Sequence, residues 1–278
     1  MPKKNALDLL QMKADNEKIA MVTAYDYTMA RIVDAAGVDM VLVGDSLGMV
    51  VQGHDDTLKV TLEDMAYHGR CVARGLTQAH LTVDMPFMSY QVSATQALES
   101  AGYLVQKGAA QSVKLEGGER SAEAIAKIVE AGIPVVGHVG LTPQSVHALG
   151  GFKVQGRSDA GAAKLLRDAQ AVVDAGAFCL VLEAVPAALA AEVTSHVDVP
   201  TIGIGAGPAC DGQVLVCNDL LGFDGSFKPR FVKRFAELEA PMIEALRSYC
   251  DEVRSGAFPT LKHAFARKGG PKKVARLY

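Results

Sequence analysis

The 278-residue chain contains no C-x-x-C pair. Its cysteines (Cys71, Cys179, Cys210, Cys217 and Cys250) are scattered and odd in number. That excludes a disulfide framework and a cysteine-rich zinc site, and points to free thiols in a reducing cytoplasm. No apolar run approaches the roughly 20 residues of a membrane span. No charge sign dominates, since 28 Lys and Arg face 31 Asp and Glu for a formal net charge of −3. Such a balance gives no footprint for nucleic acid or an anionic membrane. Lys3 and Lys4 have no apolar stretch behind them, so the N-terminus does not read as a signal peptide. A hydrophobic content of 49% against 21% charged residues fits a large core. The whole chain, 1–278, is read as one domain with a mobile basic tail from about residue 264.

Against these absences stand four short apolar runs that each end in an acid: VLVG before Asp45, LTV before Asp84, SVKL before Glu116 and LVL before Glu183. Strand-like runs lie at 19–25, 40–44, 80–84, 112–116, 135–139, 178–183 and 201–204, with a weaker eighth at 214–217. Helical patterns separate them. Thr61 to Asp64 and Ser93 to Gln96 resemble capping boxes. Pro186 suits a first helical position, and Ser158 or Asp159 caps an alanine-rich helix. Gly37, Gly75, Gly108, Gly132 and Gly176 follow helical patterns as C′ glycines do. Eight strands alternating with helices argue for a (β/α)₈ barrel. The rival doubly wound sheet often carries a glycine-rich loop after its first strand, and 24–27 (AYDY) has no glycine. The seventh crossover is short, about nine residues where about a dozen is usual. Either a one-turn helix or a later eighth strand is expected there. An amphipathic helix at 6–13 is placed to plug the barrel's N-terminal mouth, and a helical stripe runs from Phe231 to Val253.

Strand alternation puts Lys114 and Glu116 on one face and Val113 and Leu115 on the other. The apolar pair belongs against helices, so Lys114 and Glu116 point into the barrel, as do Val181 and Glu183. Buried charges demand a partner. A structural ion pair is one answer and a ligand site is the other, favoured by the four acids aimed at one mouth. Asp26 reads as a helix cap. Asp45 and Asp84 do not, because no obvious helix begins directly after either. Three oxygen donors, Asp45, Asp84 and Glu116, suit a hard cation such as Mg²⁺. His138, between Gly137 and Val139-Gly140, either packs or serves the site, by hydrogen-bonding a substrate or by supporting a metal ligand from behind. The Gly203–Gly207 run (GIGAG) reads as tight turning rather than a phosphate loop. The glycine-rich 149–157 loop is placed to cover the mouth.

Together these segments resemble the ketopantoate hydroxymethyltransferase family. The stretches that carry the resemblance are TAYDYTMARIVDAAGVDMVLVGDSLGMVVQGHDDT, VTLEDMAYH, VDMPFMSYQ, VKLEGG, GIPVVGHVGLTPQS, GGFKVQGR, IGIGAG and CDGQVLV with NDLLG. They occur in order over residues 5–260. The resemblance implies a (β/α)₈ barrel of the phosphoenolpyruvate/pyruvate type. It also implies transfer of a one-carbon unit from 5,10-methylenetetrahydrofolate to 3-methyl-2-oxobutanoate, giving 2-dehydropantoate. Carried over residue by residue, Asp45, Asp84 and Glu116 gather around Mg²⁺. Ser46 and Lys114, beside Asp45 and Asp84, hold the keto acid, and Glu183 accepts the C3 proton. A homo-oligomer, commonly a decamer, is implied too. Lys59, Asn218 and the long basic tail depart from the family pattern away from these residues.

Two other readings compete. A lyase or mutase of the same superfamily would cleave a C–C or P–C bond, but the K-x-C-G-H-like loop such enzymes commonly carry is absent. A non-catalytic metabolite-binding scaffold has to explain why five polar site residues are all intact.

Overall fold

The computed structural model describes residues 3–224 and 229–265. The expected basic tail lies outside them apart from Ala264 and Phe265. Among the described residues eight parallel strands close into a barrel in chain order. They are β1 (Ile19–Thr23), β2 (Met40–Val43), β3 (His80–Asp84), β4 (Ser112–Glu116), β5 (Val135–Gly140), β6 (Cys179–Glu183), β7 (Thr201–Ile204) and β8 (Gly212–Leu215). The helices are α1 (Ala6–Ala14), α2 (Tyr27–Ala35), α3 (Leu47–Val50), α4 (Leu62–Ala73), α5 (Ala94–Gly108), α6 (Ala122–Glu130), α7 (Val146–Leu149), α8 (Asp159–Asp174), α9 (Ala187–His196), α10 (Cys217–Leu221) and α11 (Glu239–Ser255).

Alternation sorts the two cores. Val41, Val43, Leu81, Val83, Val113 and Leu115 face outward into one cluster with the helices. Ile19, Met21, Met40, Val181, Ile202 and Val214 fill the barrel interior. Leu9 of α1 joins that inner cluster at 0% exposure. The N-terminal helix therefore does plug the barrel. The interior is one-sided in chemistry. Its β3 and β4 wall carries His80, Thr82, Asp84, Ser112, Lys114 and Glu116, all buried, while β1, β2, β7 and β8 contribute mainly apolar side chains. At the bottom of the polar wall Ser112 Oγ lies 2.8 Å from both His80 Nε2 and Thr82 Oγ1. Burial lowers the His80 pKa to about 4, so the ring stays neutral there.

Caps set many helix starts. Asp26 caps α2 by accepting from Met29 N–H, and Thr61 and Asp64 form a reciprocal box on α4. Ser93 accepts from Gln96 N–H, but the Gln96 side chain turns back to Val92 N–H instead of closing the box. Ser158 caps α8, whereas Pro186 sits one residue before α9. Gly37, Gly132 and Gly176 have positive φ. After α5 the left-handed residue is Ala109, not Gly108, and Gly75 is not left-handed. Gly108 serves packing instead: a Cβ on Gly69 of α4 would lie 2.6 Å from the Gly108 carbonyl oxygen.

Three expectations need correction. Residues 205–211 hold no helix, and β8 begins earlier than expected, at Gly212. The short return is possible because β7 and β8 have four residues each, about 13 Å at roughly 3.3 Å per residue. Asp211 pins it, accepting from Thr201 N–H at 2.8 Å and pairing with Lys13 Nζ at 2.9 Å. Without a covering helix, a groove of about 1190 Å³ opens outside β1, β7 and β8, lined in part by Ala20, Val22, Leu215, Leu220, Phe231 and Phe235. A one-turn helix, α3, does begin just after Asp45 and Ser46, although Ser46 makes no capping bond. Finally, the C-terminal helix starts at Glu239 rather than Phe231. It buries none of its residues and exposes Met242, Ile243, Leu246 and Tyr249.

Candidate active site

The C-terminal ends of β2 to β6 bring the sequence-predicted residues into one mouth. Asp45 follows β2, Asp84 closes β3, Lys114 and Glu116 close β4, His138 lies in β5 and Glu183 closes β6. Register forces neighbours together: Asp84 pairs with Lys114, Glu116 with His138, and Gly140 with Glu183.

Lys114 Nζ is the hub. It lies 3.0 Å from Asp84 Oδ1 and 3.3 Å from His138 Nδ1. Burial disfavours its ammonium, but Asp84, Glu116 and Asp45 outweigh that and hold it protonated above its ordinary range. An ammonium only donates, so His138 Nδ1 accepts and the remaining ring proton sits on Nε2. Nε2 is 3.1 Å from Glu183 Oε2, a close but poorly aligned contact. Burial and then Lys114 lower the His138 pKa, keeping the imidazole neutral. Glu183 is half-buried, while Asp45, Asp84, Lys114, Glu116 and His138 are buried. Ser46 Oγ is 2.9 Å from Tyr25 Oη, which fixes the hydroxyl beside Asp45.

The carboxylates are crowded. Burial, then Asp84, pushes the Asp45 carboxyl up to about 7. Burial, then Asp45, raises Glu116 well above the carboxylate range. Asp45 N–H donates to Asp84 Oδ2 at 3.0 Å. Asp84 Oδ1 is buried without an aligned donor, despite Lys114 nearby. Among the described residues no group of three or more acids, His or Cys is placed so that all could hold one metal ion. A hard cation that keeps its waters needs only one or two carboxylates. All-oxygen acidic donors, and mutual repulsion that a cation relieves, are the chemistry that suits Mg²⁺. Asp45, Asp84 and Glu116 are the buried carboxylates that line this part of the mouth.

Sequence reasoning passed over several neighbours. Gln144, from the turn after β5, donates from Nε2 to Asp45 Oδ2 at 2.8 Å and to Met85 O at 2.9 Å. Its backbone N–H reaches Glu116 Oε2 at 3.1 Å. Tyr90 Oη donates to Gln144 Oε1 at 2.6 Å and accepts from Glu116 N–H at 3.1 Å. Both residues stand in loops, where periodicity is silent. The available signal for Gln144 was position: a carboxamide shortly after a strand's C-terminal end. The 149–157 loop ties to β6 through Gln155 N–H to Ala184 O at 2.9 Å, next to Glu183. Gly205 and Gly207 have positive φ and pack against Phe231 and Ala187, so that run turns tightly. All five cysteines are free.

Known proteins resemble this chain to different depths. Phosphonopyruvate hydrolase, solved as a complex with oxalate and Mg++, superposes with a TM-score of 0.61 at 13% identity, over 93% of this chain and 93% of that one. 2,3-Dimethylmalate lyase, a member of the PEP mutase/isocitrate lyase superfamily, gives 0.57 at 16% identity, over 97% and 93%. These likenesses show the barrel type alone. A 3-methyl-2-oxobutanoate hydroxymethyltransferase from Syntrophotalea carbinolica is 56% identical over 264 residues, covering 95% of this chain and 99% of the relative. The family model described as ketopantoate hydroxymethyltransferase matches residues 3–261. With that match spanning nearly the whole described barrel, the chain belongs to the ketopantoate hydroxymethyltransferase family.

Proposed function

We propose that this chain moves a hydroxymethyl group from 5,10-methylenetetrahydrofolate to 3-methyl-2-oxobutanoate, giving 2-dehydropantoate. The observation that carries the reading is the hub itself. One buried ammonium sits between Asp84 and His138, and Glu183 faces the far side of that imidazole.

Asp45, Asp84 and Glu116 hold Mg²⁺, which when bound supplies a Lewis acid toward the keto acid. Lys114 meets the negative charge of the substrate's carboxylate, and Ser46, oriented by Tyr25, donates a hydrogen bond to it. Asp45 and Asp84 complete that binding wall. Glu183 accepts the C3 proton, because it is the half-buried carboxylate beside the substrate space while the other acids are buried. His138 Nε2–H faces Glu183 Oε2 and limits its rotation. Water opens both C–N bonds of the folate's methylene carbon, its oxygen staying on that carbon at the formaldehyde level and its two protons ending on the two nitrogens. Once C3 loses its proton, its electron pair bonds to that carbon, the carbonyl pair moves onto the oxygen, and the oxygen takes the proton back from Glu183 to give the hydroxymethyl group.

The reading extends to a cytoplasmic homo-oligomer, a decamer by family resemblance. Its support is the uncovered apolar face of α11. Among the described residues no helix is long and apolar enough to cross a membrane.

The test is product formation from the keto acid, methylenetetrahydrofolate and Mg²⁺, with C3 proton exchange in D₂O measured without folate. Glu183→Ala is expected to slow that exchange by about 10²- to 10⁴-fold while Mg²⁺ binding persists. Unchanged exchange in the variant removes Glu183 as the base. No product from the wild-type enzyme removes the function.

A further inference from the structure

Gln144 has every hydrogen-bonding position of its carboxamide in use. Nε2 donates twice, to Asp45 Oδ2 and Met85 O. Oε1 accepts twice, from Tyr90 Oη at 2.6 Å and Gln91 Nε2 at 3.0 Å. A carbonyl and a carboxylate only accept, so the amide cannot be flipped. Gln144 is 6% exposed and Tyr90 4%. The residue belongs to a three-residue 3₁₀ turn, Pro143–Ser145, directly after β5. It spans the gap between β2 and β4 that no ladder hydrogen bond crosses. Through its side chain it holds Asp45, and through its backbone it holds Glu116.

We propose that Gln144 is a positioning residue that turns Asp45 Oδ1 and Glu116 Oε1 toward the bound cation by occupying Asp45 Oδ2 and Glu116 Oε2. This rests on the metal reading proposed above. Each carboxylate thereby offers one oxygen, which suits a small cation that keeps most of its waters. Tyr90 and Gln91, from the loop after β3, brace the amide from its other side. The site would thus be shaped by two loops that supply no ligand.

The test is Mn²⁺ titration of the folded protein, followed by electron paramagnetic resonance, for the wild type, Gln144→Met and Gln144→Ala. Thermal midpoints are recorded in parallel. Both variants keep the backbone bond to Glu116, so the change reports on Asp45. Mn²⁺ affinity per folded molecule is expected to fall about 10- to 100-fold, with kcat/KM recovering in part at high metal concentration. Gln144→Met keeps the side-chain length and serves if Gln144→Ala does not fold. A lowered midpoint with unchanged or tighter Mn²⁺ binding overturns the proposal and leaves Gln144 a packing residue. A wild-type enzyme that binds no Mn²⁺ overturns the metal reading and this inference with it. Binding by the wild type and equally by the variants overturns this inference alone.

Discussion

Asp34 shows how a carboxylate is read correctly or missed. It lies on α2, is 5% exposed, and accepts from Thr77 N–H, Thr77 Oγ1, Gln78 N–H and Ala79 N–H at 2.6–3.0 Å. Burial alone would raise its pKa, but these donors overcome burial and lower it below the ordinary 3.8. A depressed folded pKa stabilises the fold above the unfolded pKa, and that stability is lost as pH falls through the folded value. Asp34→Asn is therefore expected to lower unfolding free energy by about 1–3 kcal/mol at neutral pH. The gap to wild type should close as pH drops below 3.8, measured by denaturant melts across pH. A gap that stays constant at acid pH would show the loss to be steric. Nothing in the sequence marked Asp34, because its donors come from a loop more than forty residues away. Asp45, Asp84, Glu116 and Glu183 were legible because each ends an apolar run, and a barrel strand's end has a fixed meaning. Lys114 was legible through alternation with Val113 and Leu115. Gln144 and Tyr90 follow no period, and their placement depends on how two loops meet over the mouth.

At the scale of elements, β5 and α8 fit through a missing side chain. A Cβ on Gly137 would lie 2.2 Å from Val172 Cγ1, and Val172 is a stiff, fully buried residue. Gly137→Ala is expected to cost about 1–3 kcal/mol by overpacking, and it should disturb His138, the next residue along β5. Adding Val172→Ala makes room, so the double mutant should be more stable than the sum of the single effects. Thermal melts of the four proteins check this, and strict additivity would disprove the steric account. The glycines flanking His138 pointed to a close approach, and the structure puts one against α8 and the other, Gly140, against the Glu183 carbonyl. The strand ends were less legible. β8 was displaced because Gly212 and Gln213 look like loop residues, yet Gly212 is where Ile19 and Ile202 leave no room for a Cβ. The period that Val232 and Phe235 share with the C-terminal helix runs past its real start at Glu239, and Val232 is buried ahead of that helix.

The whole molecule is a ring closed from below. Leu9 of α1 is fully buried in the inner cluster, far from the charged mouth. Leu9→Ala is expected to cost about 2–5 kcal/mol of stability while kcat at temperatures well below the midpoint stays at the wild-type level. A fall in kcat at full folding would show that the plug also shapes the site. The ring was legible as a whole because each βα unit repeats the same pattern. The bare seventh crossover was not, since its Asp211 staple joins residues 198 positions apart. That separation gives the short crossover a meaning in time. β1 pairs on that side with β8 rather than with any earlier strand. While the chain is being synthesised, β1 therefore keeps one open edge until residues 211–215 have been made. An open edge of this kind recruits strands from other chains. The interval before that seam closes is when a nascent barrel is most exposed to aggregation.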